Sequence, residues 1–195
     1  MLVLASTSQA RRRVLEQAGV EHRAIAPGVD EETAKLSLRA EGLSARDQAD
    51  ALAELKARAG WVRTQAPSLG CDQTLECDGE TFDKPEDLDA LRVQLKRLRG
   101  RSHALHSALV LVEHGEPTWR ELVTSTLVMR AFSDDFLDRY LAAEGETLIG
   151  AIGGYHIEGR GVQLFDAVRG EHFAILGLPL MGLLQALRQR GLAPS

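Results

Sequence analysis

A hydroxylated segment followed by three arginines near the start of the chain has the composition of a phosphate-binding site. Positions 6–8 read Ser-Thr-Ser after a short apolar stretch, and positions 11–13 are all arginine. In α/β proteins a strand, a small polar turn and a helix N-terminus bind anions through backbone N–H groups and the helix dipole. Arginine adds charge-assisted, often bidentate hydrogen bonds to phosphate oxygens. A solvated basic helix face is an equally good account of three arginines alone. Arginine opposes the dipole in a first helical turn unless an anion compensates, which favours Arg11 as a ligand residue.

A second group of candidate residues lies in the segment GCDQTLECDGETFDKPEDLD, residues 70–89. Asp72 follows an apolar stretch, where a carboxylate can hold a divalent cation or accept a proton from water. Lys84 precedes Pro85 at a predicted helix start, where its ammonium can contact a phosphate. Taken singly, Asp72 is more often a turn or capping residue and Lys84 a solvated surface lysine. Together with the N-terminal segment they favour a site for a phosphorylated ligand.

Other polar residues carry weaker signals. The acidic run Asp30 to Glu32 is predicted to be an exposed loop, and Lys56 flanks the apolar stripe of a long helix. His103 and His106 are three residues apart on a predicted strand, which places them on opposite faces and argues against a shared metal. Cys71 and Cys77 lack the Cys-x-x-Cys spacing of zinc or redox sites. No Walker loop, Rossmann glycine fingerprint or Gly-x-Ser-x-Gly motif occurs.

Composition limits the class of protein. The chain has 195 residues, which suits one domain, with 44% hydrophobic and 26% charged residues and a net charge of −5. The acidic balance argues against general nucleic-acid binding, so an anion site must be a local basic pocket. Two cysteines suit a reducing cytoplasm, and we expect neither a signal peptide nor a membrane span.

The elements that must position these residues alternate between helices and strands, which predicts an α/β or α+β fold around a mixed sheet. Ser8, Ser44 and Ser133 are candidate helix N-caps, and Asp78-Gly79 predicts a hairpin turn. We predict helices over about 9–18, 45–65, 86–98, 133–142 and 178–189. Strands are predicted over about 2–4, 22–26, 68–73, 75–82, 103–113, 121–130 and 162–168, with further short strands inside the glycine-rich stretch 150–161.

Taken in order, several segments resemble the Maf family of nucleoside triphosphate pyrophosphatases. LASTSQARRRVL is similar to the family's LASxSPRRxxLL, PGVDEE to PxxDE, ALAELKA to AxxKA, and GCDQT to GADT or GSDQ. FDKPED resembles GKPxD, GRSHALHSALVL resembles GRTHxxxTGVAL, GGYHIEGRG resembles GAYGIQG, and ILGLPL resembles VVGLPL. The resemblance covers essentially the whole chain at near-constant spacing. It implies a single domain over residues 1–195, with a mixed twisted sheet and flanking helices in two lobes around a deep central cleft, as in inosine triphosphate pyrophosphatases.

The resemblance also implies an activity and a set of site residues. The reaction is hydrolysis of non-standard or surplus nucleoside triphosphates to the monophosphate and pyrophosphate, with Mg²⁺ or Mn²⁺. On matching positions Asp72 is the proton acceptor, and Glu31 with Asp72 lies near the metal. The residues that contact phosphate are then Ser6, Arg11, Arg12, Lys56 and Lys84, while Arg13 is expected to be solvated.

Three positions bear on the choice of base. Gln73 and Glu158 match the 7-methyl-GTP subfamily, whereas dTTP- and UTP-type members carry Thr and Gln there. Ala10 departs from that subfamily, which has a tryptophan that can stack on a base. Glu158 can accept hydrogen bonds from guanine N–H groups, so we favour a purine nucleotide, with 7-methyl-GTP as a candidate. Ala174 stands where the family pattern has an asparagine.

Two other classes of function are compatible with parts of the sequence. A non-catalytic nucleotide sensor or regulator of cell division on the same fold is disfavoured, because a sensor does not need Asp72 as a general base. A nucleic-acid-binding protein using Arg11 to Arg13 is disfavoured by the acidic charge and by 5% aromatic residues. We expect a cytoplasmic protein whose partner is a nucleoside triphosphate, without membrane or nucleic acid, and a homodimer by analogy.

Overall fold

The computed structural model describes residues 1–194, which form seven strands and seven α-helices. The strands are β1 Leu2–Ala5, β2 His22–Ile25, β3 Ser68–Cys77, β4 Glu80–Phe82, β5 Ser102–Glu113, β6 Glu116–Met129 and β7 Phe165–Arg169. The helices are α1 Gln9–Gln17, α2 Glu31–Ala40, α3 Ala45–Thr64, α4 Leu88–Leu98, α5 Asp134–Leu148, α6 His172–Ile175 and α7 Leu180–Gln189.

The strands pair in one mixed sheet of order β2-β1-β3-β5-β6-β7, with β4 paired to β3. β1 runs parallel to both β2 and β3, and Leu4 is opposite Ala24 and Leu69. The β3–β4 and β6–β7 pairs are antiparallel. The predicted α/β class with a mixed sheet and flanking helices is confirmed.

The chain divides into two compact units, each assembled from separate segments. The first contains Met1–Gln73, His106–Val123 and the chain from Glu171 onwards, and the second contains Thr74–Leu105 and Thr124–Gly170.

The first unit buries the apolar faces of its sheet strands against helices on the sheet. α1 and α7 contribute to one apolar cluster with β1, β3 and β5, whose buried members include Leu4, Leu15, Leu69, Leu109, Leu183 and Leu187. A second cluster packs the alanines of α3 against β5, through Ala49, Ala53, Ala57, Ala108, Val110 and Val112.

Small residues let α3 lie unusually close to β3. A Cβ on Gly70 would lie 2.0 Å from the carbonyl oxygen of Ala53 and 2.5 Å from the backbone nitrogen of Ala57. These are backbone atoms of the helix, which cannot swing aside as a flexible side chain would. Only glycine therefore fits at position 70, and the middle of α3 lies directly over the strand at this point.

The second unit packs α4 against α5 and also contains a group of three aromatic rings. His103 Nε2 lies 2.7 Å from the hydroxyl oxygen of Tyr155, and the Tyr155 ring meets the Phe165 ring edge to face at 4.8 Å between centroids. The β3–β4 hairpin turns at Asp78-Gly79, both with positive φ, as the sequence predicts.

Serine N-caps predicted the starts of three helices. The side chains of Ser8, Ser44 and Ser133 each accept a hydrogen bond from the backbone N–H three residues on, as N-caps do. Several bounds differ: β3 continues to Cys77, β6 begins at Glu116, α4 begins at Leu88, α5 runs to Leu148 and α7 begins at Leu180.

Two predictions about local structure are wrong. The acidic run is not a loop, because Asp30 caps α2 and Glu31 is its first residue. The stretch 150–161 holds no strand; instead 3₁₀ turns form at Ile152–Gly154 and Arg160–Leu164, and the strand after them starts only at Phe165. Gly153 and Gly154 have φ of 78° and 70°, a conformation that interrupts strand pairing and that glycine tolerates.

Candidate active site

A buried ion-pair network joins three residues of the first unit. Lys56 Nζ lies 2.7 Å from Asp72 Oδ1 and 2.8 Å from Glu31 Oε2. Lys56 is 5% exposed and Asp72 6% exposed, whereas 41% of the Glu31 side chain is exposed. A buried ammonium and a buried carboxylate each need a charged partner, and here one cation serves two carboxylates. The sequence did not favour Lys56 from its position alone, but the structure places it at the centre of the network.

Three separate elements carry these side chains to one point. Asp72 lies on β3 two residues after Gly70, where α3 approaches the strand most closely. Lys56 lies on α3 between buried Ala53 and Ala57, so its side chain extends along the same interface. Glu31 begins α2, whose N-terminus is fixed by Asp30 accepting from the Thr33 backbone N–H at 3.1 Å.

Asp72 retains one oxygen for chemistry. Its Oδ1 is engaged by Lys56, while Oδ2 makes no hydrogen bond within residues 1–194. An ionised carboxylate can accept at both oxygens, so Oδ2 can take a hydrogen bond, and then a proton, from a water molecule.

The turn between β1 and α1 forms as the sequence predicts, around Ser6 and Arg11. Ser6 is 5% exposed, and its Oγ accepts from the Ser8 backbone N–H at 3.2 Å and from Arg11 Nη1 at 3.3 Å. Arg11 also donates from Nε to the Gly177 carbonyl and from Nη1 to the Cys71 carbonyl, both at 2.9 Å. Three of its five N–H donors thus bind the protein, and the two on Nη2 remain for a ligand.

The neighbouring residues of α1 are more exposed. Arg12 is half-buried and donates from Nη2 to the Thr7 carbonyl at 3.0 Å. Ala10 and Arg13 are exposed. The three arginines therefore differ in their contacts. Arg11 binds the backbone carbonyls of Cys71 and Gly177, and Arg12 binds the carbonyl of Thr7 in the turn.

Gln73 is fixed by a hydrogen-bond network that the sequence did not predict. Its Nε2 lies 2.8 Å from Ser107 Oγ and 3.0 and 3.1 Å from the carbonyl oxygens of Ala174 and Ile175, so its two N–H groups are shared among three acceptors. Ser107, fully buried, donates to the same Ala174 carbonyl at 2.7 Å. The only available signal for Ser107 was a polar residue within the apolar run of β5.

Lys84 and Glu158 belong to the second unit and are both exposed. Lys84 lies in the connection between β4 and α4, immediately before Pro85. Glu158 lies in a turn in which the Gly159 backbone N–H donates to the His156 carbonyl at 3.1 Å. Their predicted contacts with phosphate and base remain predictions.

The cysteines and histidines do not form a metal or redox site. Burial raises the pKa of the Cys71 thiol to about 11, so it stays protonated and unreactive at neutral pH. Burial lowers the pKa of His103 to about 4, so this imidazole is neutral. Across residues 1–194 no three His, Cys, Asp or Glu side chains gather as a metal-binding group.

Comparison with known proteins identifies the family. The family model described as "Maf-like protein" matches residues 1–190. The chain belongs to the Maf family. A protein of Caulobacter vibrioides named nucleoside triphosphate pyrophosphatase is 50% identical over 192 residues, covering 97% of this chain and 96% of that protein. A protein of Rhizobium meliloti named 7-methyl-GTP pyrophosphatase is 41% identical, covering 98% of this chain and 96% of that protein.

A solved structure gives a weaker likeness. The HAM1 protein of Coxiella burnetii is 17% identical, with a TM-score of 0.44 over 67% of this chain and 73% of that one. None of the helices within residues 1–194 combines the length and apolarity needed to cross a membrane.

Proposed function

We propose that this Maf protein hydrolyses nucleoside triphosphates to the nucleoside monophosphate and pyrophosphate. The observation that carries the proposal is the buried Asp72, held by Lys56 at one oxygen and available at the other. Family membership supports it, as do the names of the Caulobacter vibrioides and Rhizobium meliloti relatives.

In the proposed reaction a water oxygen attacks the α-phosphorus, and the bond to the oxygen bridging the α- and β-phosphorus breaks. Asp72 Oδ2 accepts the proton that the water loses, and the bridging oxygen leaves with pyrophosphate. Lys56 holds the Asp72 side chain in place through the 2.7 Å ion pair at Oδ1.

Negative charge grows on the departing pyrophosphate, so the site needs cationic donors aimed at phosphate oxygens. We assign this role to Arg11 Nη2, with Ser6 and Arg12 shaping the turn around it. Lys56 has one donor left after binding its two carboxylates. The phosphate contact that the sequence resemblance implies for Lys84 stays a prediction.

The carboxylates suit a divalent cation. Mg²⁺ binds commonly through one or two carboxylates, with substrate phosphates and water completing its shell. Glu31 and Asp72 supply two carboxylates that approach a single point, now neutralised by Lys56. When held by these two residues beside Lys56, Mg²⁺ or Mn²⁺ would neutralise phosphate charge and orient the triphosphate.

The base preference remains part of the proposal. Gln73 and Glu158 support a purine nucleotide, including 7-methyl-GTP, whereas Ala10 offers no ring to stack on it. Two protonated buried thiols suit a reducing cytoplasm, and we propose a homodimer by analogy with the family.

The test measures pyrophosphate release from a panel of canonical and modified triphosphates, with and without Mg²⁺ or Mn²⁺. We expect Asp72→Asn to lower kcat by roughly 10²- to 10⁴-fold, the usual contribution of a general base. Asp138→Asn, an exposed carboxylate on α5, is the matched control and keeps wild-type turnover.

Hydrolysis in ¹⁸O-water identifies the bond that breaks, because attack on the α-phosphorus places the label in the monophosphate. Label in pyrophosphate, or normal turnover by Asp72→Asn, contradicts the mechanism. Tight nucleotide binding without any turnover indicates the alternative, a nucleotide-binding regulator.

A further inference from the structure

Helix α6 ends in a tight turn that faces Arg11. The helix has only four residues, so its last carbonyl groups need partners beyond the helix. The Gly177 backbone N–H donates to the Ala174 carbonyl at 2.9 Å. The Leu178 backbone N–H donates to the Phe173 carbonyl at 3.0 Å. With Gly177 at a φ of 88°, this pair of bonds is a Schellman motif, which fixes the direction of the Gly177 carbonyl.

Two side chains from the sheet bind the carbonyl groups of this turn. Gln73, on β3, has its Nε2 3.0 Å from the Ala174 oxygen and 3.1 Å from the Ile175 oxygen. Ser107, on β5, is fully buried and donates its hydroxyl proton to the Ala174 oxygen at 2.7 Å. Carbonyl oxygens can only accept, so these side-chain donors attach the end of α6 to the sheet. Loss of either donor leaves a buried carbonyl oxygen short of a partner.

The Gly177 carbonyl, at the end of the same turn, orients the residue to which we assign phosphate binding. It accepts from Arg11 Nε at 2.9 Å, whereas the Cys71 carbonyl and Ser6 Oγ both bind Nη1. Hydrogen bonds at two different nitrogens fix the plane of a guanidinium group, while bonds at one nitrogen let the group turn about that nitrogen. The Gly177 carbonyl therefore determines where the remaining donors, on Nη2, point.

We propose that Gln73 and Ser107 are positioning residues for phosphate binding, because they hold the turn whose Gly177 carbonyl orients the Arg11 guanidinium. The inference rests on the proposed function, in which Arg11 Nη2 binds a phosphate oxygen. All residues in this connection belong to the first unit. The triphosphate is common to all nucleotides, so the contribution of Gln73 and Ser107 to affinity is the same for every base.

The experiment measures dissociation constants for inorganic pyrophosphate, which has no base, and for the α,β-methylene analogues of GTP and UTP, which resist hydrolysis. Gln73→Met removes the amide N–H groups at nearly the same side-chain length, and Ser107→Ala removes the hydroxyl. Each variant is expected to weaken binding of all three ligands by a similar factor, about fivefold or more. Ser107→Thr keeps the hydroxyl and is expected to retain the wild-type affinity.

A double-mutant cycle separates positioning of Arg11 from a general loss of structure. If Gln73 acts through Arg11, Gln73→Met has no further effect on the affinity for the GTP analogue once Arg11→Met is present. A general loss of structure weakens binding by a similar factor in both backgrounds. Ser68→Ala is the matched control, because Ser68 is also a fully buried strand serine of the first unit but its hydroxyl has no hydrogen-bond partner within residues 1–194. It leaves the dissociation constants unchanged.

Three results overturn the inference: folded Gln73→Met and Ser107→Ala variants with the wild-type affinity for all three ligands, a loss of equal size in the Arg11→Met background, or a loss limited to one base while pyrophosphate binding is unchanged. If one of the two variants does not fold, the other gives the same comparison. A wild type that binds nucleotides but releases no pyrophosphate from triphosphates contradicts the proposed function alone, and the dissociation constants still test Gln73 and Ser107.

Discussion

Removing Lys56 tests whether the buried network is an electrostatic unit. Lys56→Met keeps the length of the side chain and deletes its charge, which leaves the Asp72 carboxyl group 6% exposed and without its cation, next to Glu31. Asp72→Asn removes the carboxylate charge instead. The double variant removes both and leaves only half-exposed Glu31 charged.

The magnitude follows from burial. Losing one partner of a buried ion pair destabilises a protein by about 3 to 5 kcal/mol, because the remaining charge is desolvated and uncompensated. For a chain of this length that corresponds to a fall in Tm of roughly 10 °C. In the double-mutant cycle we expect a coupling of about 3 kcal/mol, since the double variant no longer buries an unpaired charge.

The assay is urea unfolding of the four proteins at neutral pH, followed by circular dichroism. A parallel cycle on Lys96 and Asp134, 3.1 Å apart with side chains 40% and 58% exposed, serves as the surface control and should give less than about 1 kcal/mol. If the two cycles give equal coupling, burial does not strengthen the Lys56–Asp72 pair and the reasoning fails.

Two further predictions concern stability in each unit. In the second unit, burial lowers the pKa of His103 to about 4, against 6.5 in the unfolded chain. As pH falls, the unfolded state therefore binds a proton at this histidine before the folded state does. The free energy of unfolding therefore falls as pH drops below the unfolded pKa of 6.5, and the linked loss reaches about 2 kcal/mol at pH about 5. His103→Gln should flatten this part of a plot of stability against pH. In the first unit, Gly70→Ala places a methyl group 2.0 Å from the Ala53 carbonyl oxygen and should cost about 3 kcal/mol or more in urea unfolding, whereas Gly79→Ala, with nothing within 4 Å, should cost only its turn strain of about 1 kcal/mol.

Local chemistry made much of the fold predictable. Serine N-caps fixed the starts of α1, α3 and α5, and Asp78-Gly79 fixed the hairpin, because each acts through backbone atoms within a few residues. The helix α2 was missed because none of its residues is fully buried and its N-cap, Asp30, belongs to an acidic run that was interpreted as an exposed loop. The glycine-rich stretch was misread because positive φ at Gly153 and Gly154 cannot be derived from composition.

For the candidate site, the sequence indicated individual residues but not which of them meet. Asp72, Lys56 and Glu31 were each plausible as surface or capping residues, and their meeting depends on the close packing of α3 on β3 and on a helix that the sequence did not predict. The network of Gln73 and Ser107 depends on the 174–175 carbonyls, about 100 positions along the chain from Gln73. Such contacts follow from tertiary packing, which a single sequence does not reveal residue by residue.

The number of N–H donors on Lys56 and Arg11 limits how many can bind phosphate. Lys56 has three N–H donors and gives two to carboxylates, and Arg11 has five and gives three to the protein. Most of these N–H donors bind Asp72, Glu31 and backbone carbonyls such as that of Gly177, and only the remaining donors can bind phosphate. Loss of activity in a Lys56 or Arg11 variant therefore reports first on the position of the carboxylates and the turn. A phosphate contact is demonstrated only if the variant weakens binding of a triphosphate more than binding of the monophosphate.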